Sequence, residues 1–289
     1  MLVQWVRAWC ATGALWLMGL RVVAQDYTYT NINGAISITG TTSRYGLVGA
    51  VTIPSTIEGL PVVNIGHQAF VTNWFLTSIT IPGSVTNIGL DAFEQSAMTN
   101  LTIEEGVITI EGWAFLGCWM LPNVSIPNSV TSIGDLAFNE CAELTNITIG
   151  SGLTNIGGGA LDECYKLSGV YFKGNAPTPG VSLFYYDKSE TVYYLPGTKG
   201  WGTTFAGAPA KLWNPQMVTN DGSFGAHQDG FGFNIAGTAD IPLVVEASTN
   251  LADRSWVPLQ TFTLTNGLIH FSDQQWTNYS SRLYRIRSP

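Results

Sequence analysis

The 289-residue chain carries 12 Lys and Arg against 20 Asp and Glu, a formal net charge of −8, and only 11% of its residues are charged. Its basic residues form no cluster, which excludes a nucleic-acid-binding face, because phosphates are neutralised by Lys and Arg in patches. At 45% hydrophobic the chain can bury a sizeable core in one or two domains. Asn, Thr, Ser and Gly supply the polarity, which suits strands and tight turns.

Residues 1–24 read as a secretory signal peptide. Arg7 gives a positive start, Trp9 to Leu20 is an apolar run of 12 residues, and Val22-Val23-Ala24 offers a cleavage site after Ala24. The run is shorter than the roughly 18–20 residues that span a bilayer, so a membrane anchor is the weaker alternative. Cleavage removes Arg7 and Arg21 and no acid, leaving ten basic against 20 acidic residues. No later segment reads as transmembrane, so secretion or surface display is expected. Residues 25–45 are expected to form an N-terminal cap of one or two strands.

A block of about 23 residues then recurs. Aligned on isoleucine, the copies read NIGHQAF (Asn64–Phe70), NIGLDAF (Asn87–Phe93), TIEGWAF (Thr109–Phe115), SIGDLAF (Ser132–Phe138) and NIGGGAL (Asn155–Leu161), in steps of 23, 22, 23 and 23. A fixed period of this length means stacked units that bury their apolar sides only against neighbours. Each unit also has an L-x-x-I-x-I half, such as Leu76 to Ile81 and Leu144 to Ile149. Its period-2 alternation predicts a strand with one buried face. Pro54, Pro82 and Pro127 follow the last apolar residue and end the strand. In the other half, Ile88, Ala92 and Phe93 at i, i+4 and i+5 suit a short helical turn with one side inward. Phe70, Phe93, Phe115, Phe138 and Leu161 should form one buried column.

The run LTSITIPGSVTNIGLDAFEQ and its copies, over about residues 46–172, resemble the BspA-type leucine-rich repeat of bacterial surface and secreted proteins. The resemblance implies a repeat solenoid, right-handed and curved, with a parallel concave β-sheet and short convex helices. It also implies an adhesin-like, non-catalytic role in binding extracellular protein or polysaccharide. Two departures appear towards the end: Leu161 replaces Phe, and FKGNAPTPG (Phe172–Gly180) breaks the register. TVYYLPGT (Thr191–Thr198) reads as a degenerate last strand, and Lys199–Pro215, rich in Gly, Pro and Trp, as the cap closing a solenoid of residues 46–215.

The outward strand positions, Asn100, Thr102, Asn123, Ser125, Asn146 and Thr148 among them, form a nearly uncharged Asn/Ser/Thr array. It is a solvated surface, a shallow binding face, or a lattice that orders water or a crystalline surface. Binding faces carry large anchors such as Trp, Tyr or Arg, and Tyr171 and Tyr194 are the expected ones. Three sequons, beginning at Asn100, Asn123 and Asn146, fall on the same positions and are a by-product of the repeat.

Cys118, Cys141 and Cys164 are spaced 23 and 23. Three thiols leave one unpaired even if two join, so a buried thiol stack, one disulfide and a metal site stand as alternatives. His67, His227 and His270 fall in three separate parts of the chain, and no HExxH, GxSxG or phosphate-binding loop occurs. Asn220–Gly232 lacks the spacing and closing Glu of a calcium loop and reads as turns. No cofactor is expected.

From residue 217 to 289 the repeat is replaced by short strand-like runs between turn clusters such as Thr265-Asn-Gly, which predicts a small all-β sandwich. Val244, Glu246, Ser248, Trp256, Asp273, Tyr284 and Arg285 give this part a resemblance to a β-sandwich module found at the ends of secreted bacterial proteins. A binding protein is the leading expectation. A structural surface or matrix protein without a selective ligand is the alternative, and an enzyme the remote one.

Overall fold

The structure, a computed structural model, describes residues 27–43, 45–186, 190–250, 252 and 255–289. The expected signal peptide lies outside the described residues. A hairpin opens the fold: Tyr27–Ile32 runs antiparallel to Ala35–Thr41. The turn is Asn33-Gly34, both with positive φ, the chemistry a tight hairpin requires. Ala35–Thr41 then pairs in parallel with Leu60–Ile65, which starts a sheet of short strands: Asn87–Ile88, Thr109–Ile110, Ser132–Ile133, Asn155–Ile156 and Thr178–Pro179. The L-x-x-I-x-I halves supply the longer strands Leu76–Ile81, Asn100–Ile103, Asn123–Ile126, Asn146–Ile149 and Gly169–Phe172, here called the main face. Thr191–Tyr194 and Ala208–Leu212 continue it in parallel, and Thr204–Phe205 closes it antiparallel.

The core lies between the two faces. Phe70, Phe93, Phe115 and Phe138 are buried and stacked, with ring centroids 5.2, 5.3 and 5.1 Å apart, near the strand spacing of a sheet. The glycine after the repeat isoleucine lets neighbouring turns approach: a Cβ on Gly157 would run into the backbone N of Asp135.

The segments expected as short convex helices are turns instead. Among the described residues the only helical stretches are two three-residue 3₁₀ turns, Thr265–Gly267 and Trp276–Asn278, both outside the repeats. The reason is in the backbone. Gln68, Asp91, Trp113, Leu136 and Gly159 have positive φ, and so do Thr72, Gln95, Gly117, Glu140 and Glu163 four residues later. A helix cannot pass through a left-handed residue every fourth position, and each such non-glycine residue costs about 1–2 kcal/mol. The cost is offset because the N–H groups reach the next repeat: Gln68 to Leu90 O, Phe70 to Ala92 O and Thr72 to Glu94 O. The residues between them close back on the chain, as Ala69 N does to Gly66 O.

The main face is interrupted once. No ladder joins Asn100–Ile103 to Asn123–Ile126. In neighbouring repeats the residues flanking the strand donate to the previous repeat: Thr99 N to Thr77 O and Glu104 N to Ile81 O, Ser168 N to Thr145 O and Lys173 N to Ile149 O. Around Asn123–Ile126 both flanking positions are proline, Pro122 and Pro127, which have no N–H to give. The short-strand sheet stays continuous here, through Thr109–Ser132 pairing.

Cys118, Cys141 and Cys164 are fully buried thiols not joined in a disulfide. Each donates one repeat back, to the carbonyls of Phe93, Phe115 and Phe138. Ser96 holds the same place in its repeat and donates to Phe70 O.

After Ala208–Leu212 come two antiparallel sheets. One contains Gln216–Val218, Gly225–His227, Gly230–Ala236 and Leu268–Asp273; the other contains Pro242–Ser248, Val257–Thr263 and Leu283–Arg287. Phe233, Ile235, Leu243, Val245 and Phe271 from both sheets share one core. Among the described residues no helix is long and apolar enough to cross a membrane.

Two outcomes are expected. Phe115→Ala removes an interior ring of the column and lowers unfolding free energy by about 3–5 kcal/mol, measured by urea titration. Burial pushes the Cys118 thiol up to about 12, against a lowering by its hydrogen bond from the Ser96 backbone, where the ordinary value is 9.0. The folded thiol therefore keeps a proton that the unfolded one loses, so this stabilisation is complete below about pH 9 and falls as pH rises towards about 12. All three thiols should resist a disulfide reagent in the native protein at pH 8 and react together after denaturation.

Candidate functional site

Two columns of side chains point outward from the main face. One runs Thr80 and Thr102 in register and, past the interruption, Ser125, Thr148, Tyr171, Tyr193 and Lys211 in register. The other runs Ser78, Asn100, Asn123, Asn146 and Gly169. The first borders a groove. A cleft of about 320 Å³ lies against Thr102, Ser125, Glu105 and Lys173, at the interruption between strands. A second, of about 490 Å³, lies against Ser125, Thr148, Lys173, Tyr194, Trp213 and Arg287. Ser125 and Lys173 line both, so the two clefts adjoin.

The far wall of the groove comes from the C-terminal part of the chain. Trp213 is fixed by a hydrogen bond from its Nε1 to Pro242 O at 2.8 Å. Arg287 is held by the buried Glu246, which also pairs with Arg285. Burial pushes the Glu246 carboxyl up, but hydrogen bonds and charge from the two arginines outweigh it and hold it below its ordinary value. At the groove's other end Glu105 accepts from the N–H groups of Asn128 and Ser129 and from the Asn128 amide. These bonds, the Asn128 backbone first, lower its pKa. Lys173, beside both clefts, is exposed.

The tyrosines differ from expectation. Tyr171 points outward from the sheet, yet only 5% of it is exposed, because it belongs to the core of the C-terminal sheets together with Phe233 and Leu243. It stacks on Tyr193 with centroids 4.8 Å apart, and burial raises the pKa of both phenols. Tyr194 is in register with Phe172, one of the inward positions, and stacks on Trp201 at 5.1 Å. The outward residue of that strand is Tyr193, one position before the expected Tyr194, which shares the inward face of the buried Val192. Thr102, Ser125, Thr148, Tyr171 and Tyr194 line the groove, whereas Asn100, Asn123 and Asn146 do not. Asn123 and Asn146 instead bond the Thr145 hydroxyl.

Lys173, Trp213 and Arg287 are groove residues that the sequence pattern does not reveal. Lys173 follows a strand whose equivalents end in proline or a turn, and the other two reach the groove from distant sequence. The histidines are apart: His67 lies 3.1 Å from Leu90 O, His227 2.9 Å from Ser223 O, and His270 2.9 Å from Asn234 Oδ1. Among the described residues no group of three His, Cys, Asp or Glu side chains could hold a metal ion.

Parallel strands stacked at a 22–23-residue period, with one apolar column per repeat position, define a leucine-rich repeat β-solenoid. The BspA type leucine rich repeat family matches residues 63–191 in six copies, so this stretch of the chain is a BspA-type leucine-rich repeat region. The chain is similar to the crystal structure of a T. pallidum leucine-rich repeat protein, with 24% identity and a TM-score of 0.51 over 61% of this chain and 87% of that one. It is also similar to the pneumococcal vaccine antigen PcpA, with 23% identity and a TM-score of 0.49 over 59% of this chain and 48% of that one. A leucine-rich repeat protein from Bacteroides ovatus shows 20% identity and a TM-score of 0.33 over 66% and 76%. No curated protein matches the chain.

Gly169 tests how the groove is built. A Cβ there would lie 2.6 Å from Tyr171 Cε2, so Gly169→Ala displaces the ring that seats the C-terminal sheets. The expected cost is about 1–3 kcal/mol, with faster amide exchange in 230–236 and 242–248 and little change in 87–138.

Proposed function

We propose that the chain is a non-catalytic binding protein, secreted or displayed on a bacterial surface, that holds an extended segment of extracellular protein or polysaccharide along the main face. In this reading residues 25–45 cap a solenoid of residues 46–215, and residues 217–289 form a β-sandwich that walls one end of the groove. The two antiparallel sheets over one core support the sandwich assignment. The BspA-type repeat region supports the surface location.

The observation that carries the proposal is the groove formed by the two adjoining clefts. It joins the hydroxyls of Thr102, Ser125 and Thr148 to Lys173, Trp213 and Arg287. Hydroxyls at strand spacing offer repeated hydrogen bonds to a polymer lying across the repeats. Trp213 and Arg287 supply the kind of anchor at which binding energy concentrates.

The test is binding of the full protein to arrays of extracellular matrix proteins and polysaccharides, beside Thr148→Arg and Lys173→Glu. Point variants are the right tool, because removing residues 217–289 would uncover the buried Tyr171 and Tyr193. Saturable binding weakened at least tenfold by Thr148→Arg, with melting temperature unchanged, is the expected result. Binding equal in both variants and the parent would move recognition elsewhere. No saturable binding at micromolar concentration would leave a structural surface role.

A further inference from the structure

A second surface lies at the loop edge where the chain enters the main-face strands. Two residues before the strand leucine stand Tyr45, Trp74, Trp119 and Tyr165. Their exposures are 55, 64, 38 and 64%, and Phe75 and Met120 beside them are 57 and 44% exposed. Isolated exposed apolar residues are ordinary, but a contiguous run of large ones marks a contact surface.

The arrangement depends on one missing residue. Phe70 to Leu76, Phe115 to Leu121 and Phe138 to Leu144 each span six positions, whereas Phe93 to Met98 spans five. The shorter repeat has only Ala97 between its buried Ser96 and Met98, so nothing bulky separates the repeats on either side. Trp74 and Trp119, two repeats apart, therefore meet edge to face, with centroids 6.4 Å apart and planes at 85°. Tyr45 and Phe75 meet the same way, 6.2 Å apart at 87°. A hollow of about 600 Å³ opens against Tyr45, Trp74 and Phe75, and Ser43, Gln68 and Thr72 also line it. Its volume is that of a small-ligand site.

We infer that this aromatic edge is a binding site for a neutral polysaccharide, separate from the groove of the main face. Aromatic faces carry negative π-density that attracts the C–H faces of a pyranose ring, and the hydroxyls and amide around the hollow match sugar hydroxyls. Among the described residues no charged side chain lines the hollow. The chain's net charge of −8 also works against an acidic polymer.

The experiment is native affinity electrophoresis of the purified protein in gels containing hydroxyethyl cellulose, xyloglucan, galactomannan, laminarin or dextran. Parallel gels contain the anionic polymers hyaluronan and polygalacturonate. Parent, Trp74→Ala, Trp119→Ala and the groove variant Thr148→Arg are compared, with melting temperatures confirming the fold. At least one neutral polymer should retard the parent and Thr148→Arg alike, and each Trp variant should raise the dissociation constant tenfold or more. Retardation by none of the five neutral polymers, by the anionic ones alone, or equally in both Trp variants overturns the assignment. Reversible dimerisation in light scattering that Trp74→Ala abolishes also overturns it, and assigns the edge to a second copy of this chain. Loss of binding only in Thr148→Arg would assign the glycan to the groove instead.

Discussion

The hydrogen bonds from each repeat to the next set the rest of the structure. Along the turns, alternate N–H groups leave their own repeat for a carbonyl of a neighbour, as from Phe93 to Ala114 O and from Phe115 to Ala137 O. This satisfies buried backbone groups without a helix. It also fixes the inter-repeat distance near that of sheet strands, which brings the phenylalanine rings into contact. The left-handed residues, the glycines at close approach and the buried thiols that donate to the previous repeat are all consequences of that spacing.

Much of this is legible from periodicity. The isoleucine, phenylalanine and cysteine columns and the two outward rows are readable because each follows from one residue type recurring in phase. The turn conformation is not, because Gln68, Asp91, Trp113 and Leu136 share a positive φ and nothing else. Residue type does not mark the left-handed positions, and an i, i+4, i+5 apolar pattern looks helical. An outward Tyr194 runs against the alternation of TVYY (Thr191–Tyr194), which sets it on the face of the buried Val192, and the pairing with Gly169–Phe172 makes Tyr193 the outward residue.

The candidate site is half legible. The hydroxyl row of Thr102, Ser125 and Thr148 can be read from alternation, but the burial of Tyr171 cannot. It depends on packing between segments some 60 to 100 residues apart, and no local pattern encodes that. The same holds for Arg287, whose place is set by Glu246, buried and shared with Arg285. The charge economy of the sequence has its counterpart here: two buried acids, Glu246 and Asp273, each meet an arginine.

The proline pair around Asn123–Ile126 has a mechanical consequence. In a stack of nearest-neighbour units, rigidity is a chain of couplings in series, and the softest coupling takes most of any strain. Between the second and third long strands of the main face one wall of the solenoid keeps its backbone ladder, while the other is joined through side-chain bonds such as those of Glu105 to Asn128 and Ser129. The two halves of the stack are thus joined as a book is at its spine, along the Thr109–Ser132 side. Flexing about that spine would widen or narrow the groove where it begins and so change the curvature of the main face.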